Sequence, residues 1–322
     1  MKPRHHKKAI VSILFLSFIA VFYFISGTAQ TSSEKEIVFV ERDTDSKTIL
    51  ETLQEKGFIK NRLTYHTISA LSNFVESIEP GGYVLPKNLN AVAIHAALSE
   101  PAYKYVAVIE GMRKEEIAER FGNALDWEEE KIQEFKGKYP VCSFSGREGF
   151  MAPGDYLVSG DATIQSIQSE MEARFKEKID ELTEKEKESI FDLNQVVTIA
   201  SLIQREAAGK RDMRLISGVI WNRILVGMPL QIDATLQYVK GDDELWWPRV
   251  NSEDKFLDSP YNTYQTEGLP PGPIANPGRA ALEAALNPSE TNCIFYLHDA
   301  NRNIHCATTY DGHLDNIKRY LK

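Results

Sequence analysis

Glu206 is the residue whose setting best suits proton transfer. It lies near the end of an apolar segment, Asn194 to Ala208, in which Val196, Ala200, Ile203 and Ala207 recur at helical spacing. Counting about 100° per residue, Glu206 falls roughly 80° from the centre of that stripe, beside Ile199 and one turn beyond Leu202. A carboxyl at the edge of an apolar face loses solvation, which raises its pKa and keeps it protonated, as a general acid requires. Further along runs S-P-Y-N-T-Y-Q-T-E-G-L-P-P-G-P-I-A-N-P-G, Ser259 to Gly278. Its five prolines and three glycines exclude a helix or a central strand, yet Tyr261, Tyr264, Leu269 and Ile274 are too apolar for a linker. The stretch predicts a rigid, packed loop that folds over Glu206. Its Asn, Thr and Tyr side chains suit a hydrogen-bonding, face-presenting ligand such as a sugar.

The elements that must hold these residues follow from periodicity and punctuation. Glu36 to Val40 and Tyr83 to Leu85 read as strands, and Asp45 to Lys56, Asn61 to Phe74 and Asn90 to Ser99 as helices. Tyr105 to Ile109 alternates as a strand, before helices over Arg113 to Phe121 and Trp127 to Phe135. A charged stretch from Ile164 to Phe191, containing E-K-E-K-E, reads as a solvated helix. Asn194 to Ala208 and Arg211 to Val226 form a helical hairpin broken at Gly209. Ala280 to Leu286 is helical, Cys293 to His298 pairs with Ile304 to Thr308, and a last helix starts at Leu314. The fold class is α+β, with a module boundary near Ala102.

Composition narrows the setting. Lys2, Arg4, Lys7 and Lys8 precede an uncharged apolar run from Ala9 to Gly27, and nineteen residues at about 1.5 Å each approach the ~30 Å hydrocarbon thickness. Residues 1–8 therefore read as a cytoplasmic basic flank, 9–27 as a single transmembrane anchor and 28–35 as a tether, with the remainder outside the membrane. Gly27-Thr28-Ala29 is also a small-residue cleavage site, so removal as a signal peptide is the alternative. The formal charge of −9 grows more negative once the N-terminal cations are set aside, which argues against a nucleic-acid partner. Cys142, Cys293 and Cys306 are too few for a disulfide framework, and in a hairpin turning at Asn301-Arg302 Cys306 faces the neighbourhood of Leu297, so a bridge to Cys293 would need an altered register and free thiols are expected. The histidines show no metal-ligand spacing, and no metal or organic cofactor is expected.

Four motifs carry a resemblance. I-A-S-L-I-Q-R-E-A at 199–207, V-I-W-N-R-I at 219–224, L-Q-I-D-A-T-L-Q-Y at 230–238 and the proline-rich loop together resemble the YceG-like endolytic murein transglycosylases. Glu110-Gly111-Met112 and Glu148-Gly149-Phe150 resemble further signatures of that family. Residues 36–102 resemble its small LysM-like module, and 103–322 its catalytic domain. The resemblance implies a membrane-anchored enzyme that cuts nascent peptidoglycan glycan strands, with Glu206 as catalytic acid and peptidoglycan synthases as partners. Asn262 and Tyr264 would bind sugar hydroxyls or acetamido groups, while Gln231, Asp233 and Thr235 would line the cleft or orient its loops. Capping the following helix is the alternative role for Asp233. Arg223 is read as structural and Tyr261 as core.

Departures from the family pattern matter. Glu148 to Tyr156 reads E-G-F-M-A-P-G-D-Y, with Ala152 and Gly154 where an aromatic and an acid are usual, so Asp155 is a candidate substitute. His305 and His313 match a terminal histidine pattern loosely, and His313 is read as a helix cap. Two rivals accompany the transglycosylase reading. One is a non-catalytic peptidoglycan-binding protein. The other is a hydrolase using Asp233 or Asp155 as a second carboxylate.

Overall fold

The computed structural model describes residues 32–59, 78–137, 146–183 and 192–321. The expected basic flank, the anchor, the helix over Asn61 to Phe74, the E-K-E-K-E stretch and Cys142 lie outside the described residues. Among the described residues, no helix is long and apolar enough to cross a membrane. The chain divides into two compact units, one ending at Tyr105 and reclaiming 156–161, the other holding 106–155 and 162–322.

In the first unit β1 (Lys35–Val40) pairs antiparallel with β2 (Gly81–Pro86), Val38 opposite Tyr83 and Glu36 opposite Leu85. Gly81 and Gly82 of β2 then pair with Lys104 and Tyr103 of β3 (Tyr103–Val108), and β4 (Gly154–Ser159) completes the order β1-β2-β3-β4. Helix α1 (Ser46–Glu55) starts where the Asp45 carboxylate accepts from Thr48 N–H, and α2 (Ala91–Ala97) where Asn90 accepts from Ala93 N–H. These side chains satisfy first-turn donors that have no partner within the helix. Val38, Leu50, Leu53, Phe58, Tyr83, Leu85, Ile94 and Leu98 form its buried core. Strand β4 is not among the elements read from the sequence.

The second unit begins with α3 (Lys114–Leu125), whose Glu116 reaches back to accept from Arg113 N–H, and α4 (Glu129–Lys136). Helix α5 (Ile164–Thr183) follows, then α6 (Leu193–Glu206) and α7 (Met213–Leu225). After α8 (Asp233–Lys240) and a 3₁₀ turn at Ser252–Phe256, the proline-rich loop leads into α9 (Arg279–Leu286). Hairpin β5 (Phe295–His298) and β6 (Ile304–Ala307) precedes α10 (Tyr310–Tyr320).

Helix α6 corrects the picture of a one-sided apolar stripe. Val196 through Ile203 are all buried, so the helix is apolar on every side and runs through the core with Phe150, Phe175, Ile216, Ile274 and Leu282 around it. Its two hydroxyls tolerate this because Thr198 donates to Asn194 O at 2.7 Å and Ser201 to Thr198 O at 2.7 Å.

The hairpin brings a second correction. Cys293 and Cys306 form a disulfide, with Cα atoms 5.8 Å apart. Tyr296 lies opposite Cys306 and Phe295 opposite Ala307, and Ile294 N–H also donates to Ala307 O at 3.0 Å. Cys306 thus faces Tyr296, one residue nearer Cys293 than the expected pairing with Leu297, and the Ile294 N–H bond closes the end of β6 beside the disulfide. His313 is not a cap either. Thr309 caps α10 by accepting from Gly312 N–H, and the His313 ring stacks on Phe295 at 5.3 Å.

Candidate functional site

Glu206 is the last residue of α6, and the chain turns extended at Ala207. It turns there because Asp212 collects Ala208 N–H at 2.9 Å and Gly209 N–H at 3.0 Å, fixing the link into α7. The half-buried Glu206 carboxylate accepts from the Tyr296 hydroxyl at 2.7 Å, and the Ala234 N–H at the start of α8 lies near enough to favour its ionised form. Burial raises its pKa above the usual glutamate value. The Tyr296 bond opposes that shift, the Asp233 charge adds to it, and Ala234 and His298 oppose it. Burial also drives the Tyr296 hydroxyl well above its ordinary pKa, so it remains a donor.

Asp233 is the first residue of α8, not its cap, and its exposed carboxylate accepts from Tyr264 Oη at 2.6 Å. Burial and then this bond raise the Tyr264 pKa. Glu206, Asp233 and Tyr264 are therefore gathered in one place, together with Tyr296, which the sequence reading did not single out.

Asn262, expected to bind the sugar, instead holds the loop together, and Thr235 takes the loop-orienting role. Asn262 is fully buried, donating to Leu257 O at 2.8 Å and Lys255 O at 3.1 Å while its oxygen accepts from Tyr264 N–H at 3.0 Å. Both of its amide hydrogens are engaged in closing the turn and the side chain is sealed from solvent, so it is not placed to meet a sugar. Thr235 is equally buried, donating to Ile232 O at 2.8 Å and sharing a hydrogen bond with Thr263 Oγ1 at 3.0 Å. Gln231 is exposed with a left-handed backbone, φ 51°, held by its N–H donating to Thr263 O. A non-glycine residue in that region is strained by about 1–3 kcal/mol, which the Thr263 contacts must offset. Arg223 is structural: it donates to Ile294 O at 2.6 Å and to Leu230 O, tying β5 to the approach of α8.

The proline-rich loop is anchored by α6 itself. Ile274 N–H donates to Ser201 Oγ at 3.1 Å, and Gly278 N–H to Gln204 Oε1 at 3.0 Å. Gly149, at φ +88°, sits where an added Cβ would come within 2.6 Å of Pro273 and 2.8 Å of Val197, so the turn there requires glycine. Ala152 is buried in the same core, and Arg174 donates to the Asp155 carbonyl at 2.9 Å.

A second perturbed carboxyl lies apart from these contacts. Glu148 accepts from Asn276 Nδ2 at 2.8 Å and from Lys114 N–H at 3.2 Å. Burial, then the Glu115 charge, pushes its pKa up to about 8. Asn276 also donates to Met112 O and accepts from Met151 N–H, so this carboxyl locks three segments together.

Comparison with known proteins bears on the chain as a whole. A model of the YceG-like family matches residues 38–319. The endolytic murein transglycosylase of Streptococcus pneumoniae serotype 2 is 25% identical over 364 residues, covering 98% of this chain. This chain spans 66% of that relative's length. The Bacillus subtilis endolytic murein transglycosylase is 29% identical over 266 residues, 76% of this chain and 73% of that protein. The crystal structure of a yceG-like protein from Listeria monocytogenes shares the fold, with a TM-score of 0.55 and 25% identity over 88% of this chain and 99% of that one.

Proposed function

The chain belongs to the YceG-like family, and from that membership we propose that it is an endolytic lytic transglycosylase that cuts the MurNAc–GlcNAc bond of peptidoglycan strands. The observation that carries this reading is Glu206, a carboxyl kept above its usual pKa by burial while two donors stand ready for its anion. Neutral Glu206 gives its proton to the bridging oxygen as positive charge develops at C1 of MurNAc. The C6 hydroxyl of the same sugar then attacks C1, and Glu206 takes the proton released. The products are a free GlcNAc hydroxyl and a 1,6-anhydroMurNAc end, so no water is consumed. Because the nucleophile is part of the reacting sugar, its effective molarity is high and a second carboxylate is unnecessary. Tyr296 and the Ala234 N–H stabilise Glu206 while it is ionised, and Asp233, steadied by Tyr264, faces the developing cation.

Hydrolysis is the second reading, because Asp233 supplies a carboxylate near Glu206 that could orient water. Mass analysis of digested murein distinguishes the two. Anhydro ends support the transglycosylase, reducing ends the hydrolase, and uncut glycan a binding protein. Glu206→Gln abolishes cleavage in the first two cases while the protein still folds.

The setting of the enzyme belongs to the same proposal. Residues 9–27 anchor it in the cytoplasmic membrane, the first unit acts as a LysM-like module, and peptidoglycan synthases are its partners. The Cys293–Cys306 disulfide supports an extracytoplasmic catalytic domain, since such bonds persist in oxidising compartments.

A further inference from the structure

A cavity of about 440 Å³ opens immediately beyond the end of α6, lined by Gly209, Arg211, Asp212, Asn301, Arg302 and Asn303. The proton-transfer step described above makes no use of it. We propose that this cavity is a subsite for an acidic peptide, the stem peptide attached to the lactyl group of the MurNAc being cut, whose carboxylates meet Arg211 and Arg302. The inference rests on the transglycosylase reading of Glu206.

Position is the first argument. Ala208 and Gly209, at the cavity wall, follow Glu206 by two and three residues. Strand β5 supplies an independent ruler, because Tyr296 contacts Glu206 while His298 contacts Asp212 at 2.6 Å. Alternate residues of a strand share a face and stand about 7 Å apart. The cavity therefore begins about one sugar ring from the proton donor, where a substituent on that ring would project.

Charge is the second. The cavity holds two guanidinium groups and one carboxylate, and the carboxylate is already engaged. Asp212 accepts from Ala208 N–H, Gly209 N–H and His298, and although burial pushes its pKa up, these bonds outweigh it and hold the group ionised. Asp299, on the same turn, is likewise occupied by the Asn301 and Asn303 N–H groups and by His305. Arg302 is aimed by a bond to Ala208 O from a left-handed backbone at φ 63°, and Arg211 is exposed. A cationic recess on a chain of net charge −9 favours an anion. Paired guanidinium groups suit carboxylates in particular.

Space is the third. A Cβ added at Gly209 would meet nothing within 4 Å, so this wall leaves room for a ligand. The volume falls within the range of small-ligand sites, enough for a short peptide segment and too small for a strand of sugars.

The test compares two substrates on the full-length protein: uncrosslinked glycan strands bearing stem peptides, and the same strands stripped of peptide by an amidase. Arg211→Glu and Gly209→Phe should each raise KM on peptide-bearing strands about tenfold and act far less on stripped ones. Equal effects on both substrates, or none on either, would overturn the subsite. Calorimetric titration of a soluble muramyl tripeptide, with MurNAc as the comparison, separates this proposal from the catalytic one because it needs no turnover. If wild type cuts neither strand yet binds the tripeptide more tightly than MurNAc, and Arg211→Glu removes that preference, the subsite stands and the enzymatic reading falls. Indistinguishable binding of the two sugars removes the subsite whatever the activity.

Discussion

Replacing Tyr296 with Phe removes one hydroxyl and tests how Glu206 is tuned. The Tyr296 hydroxyl donates to Glu206 Oε2 at 2.7 Å, and it strengthens when the carboxyl ionises. A hydrogen bond to a charged acceptor contributes about 1.5–3 kcal/mol, and 1.36 kcal/mol corresponds to one pH unit of titration midpoint. The sign follows directly: the bond favours the anion, so its loss makes the proton harder to remove. Activity that requires protonated Glu206 falls as pH rises through that group's titration, and Tyr296→Phe should carry this alkaline limb upward by roughly one pH unit or more. The maximal rate should fall about tenfold, because the carboxylate formed at the transition state has lost a donor. The assay is kcat/KM against pH on soluble glycan strands, with the carboxyl titrated by carbon NMR on glutamate-labelled protein. An alkaline limb that stays put, or moves to lower pH, would show that the Tyr296 hydroxyl does not contact the titrating acid.

Three further outcomes are expected. Glu148 has its pKa raised to about 8 by burial, so its contribution to folding is complete below the unfolded glutamate value and is lost as pH rises through about 8. Thermal melts of wild type and Glu148→Gln should therefore diverge between about pH 4.5 and pH 8, with the variant declining less. Asn262→Ala should destabilise the protein by roughly 1–3 kcal/mol in urea unfolding, since it removes the partner of the partly buried Leu257 O and Tyr264 N–H, while Lys255 O keeps its bond from Gln265 Nε2; normal stability with only a raised KM would contradict its buried position. Removing the Cys293–Cys306 bond as a double serine variant should cost about 3 kcal/mol and leave activity more sensitive to heat.

What could be read from the sequence was local. The helical period of Val196, Ala200 and Ile203 identified α6, and it placed Glu206 near the end of that helix. The proline and glycine spacing of 259–278 identified a packed loop, and its fully buried Ile274, Ala275 and Asn276 bear that out. What could not be read depends on tertiary pairing. Tyr296 and His298 look like ordinary strand residues until the hairpin sets one against Glu206 and the other against Asp212. Free thiols follow from a hairpin that sets Cys306 opposite Leu297, and nothing in the turn residues announces the one-residue shift in register that sets it opposite Tyr296. Asn262 and Thr235 have side chains that suit a ligand equally well, and only the fold shows their polar atoms already spent on neighbouring backbone and on Thr263. Membership of a hydrophobic face can be inferred from spacing. The direction in which a buried amide points cannot.

Glu206 ends one helix and faces the beginning of another, and this gives the site an electrical character beyond that of its side chains. The carbonyl end of α6 carries partial negative charge and the amide end of α8 partial positive charge. The first disfavours negative charge on the carboxyl and the second favours it. A proton leaving the carboxyl passes from a state favoured by one macrodipole to a state favoured by the other. Such a junction flattens the energy difference between the two forms, so the same group can release a proton and recover it within one turnover without any element of the fold having to move.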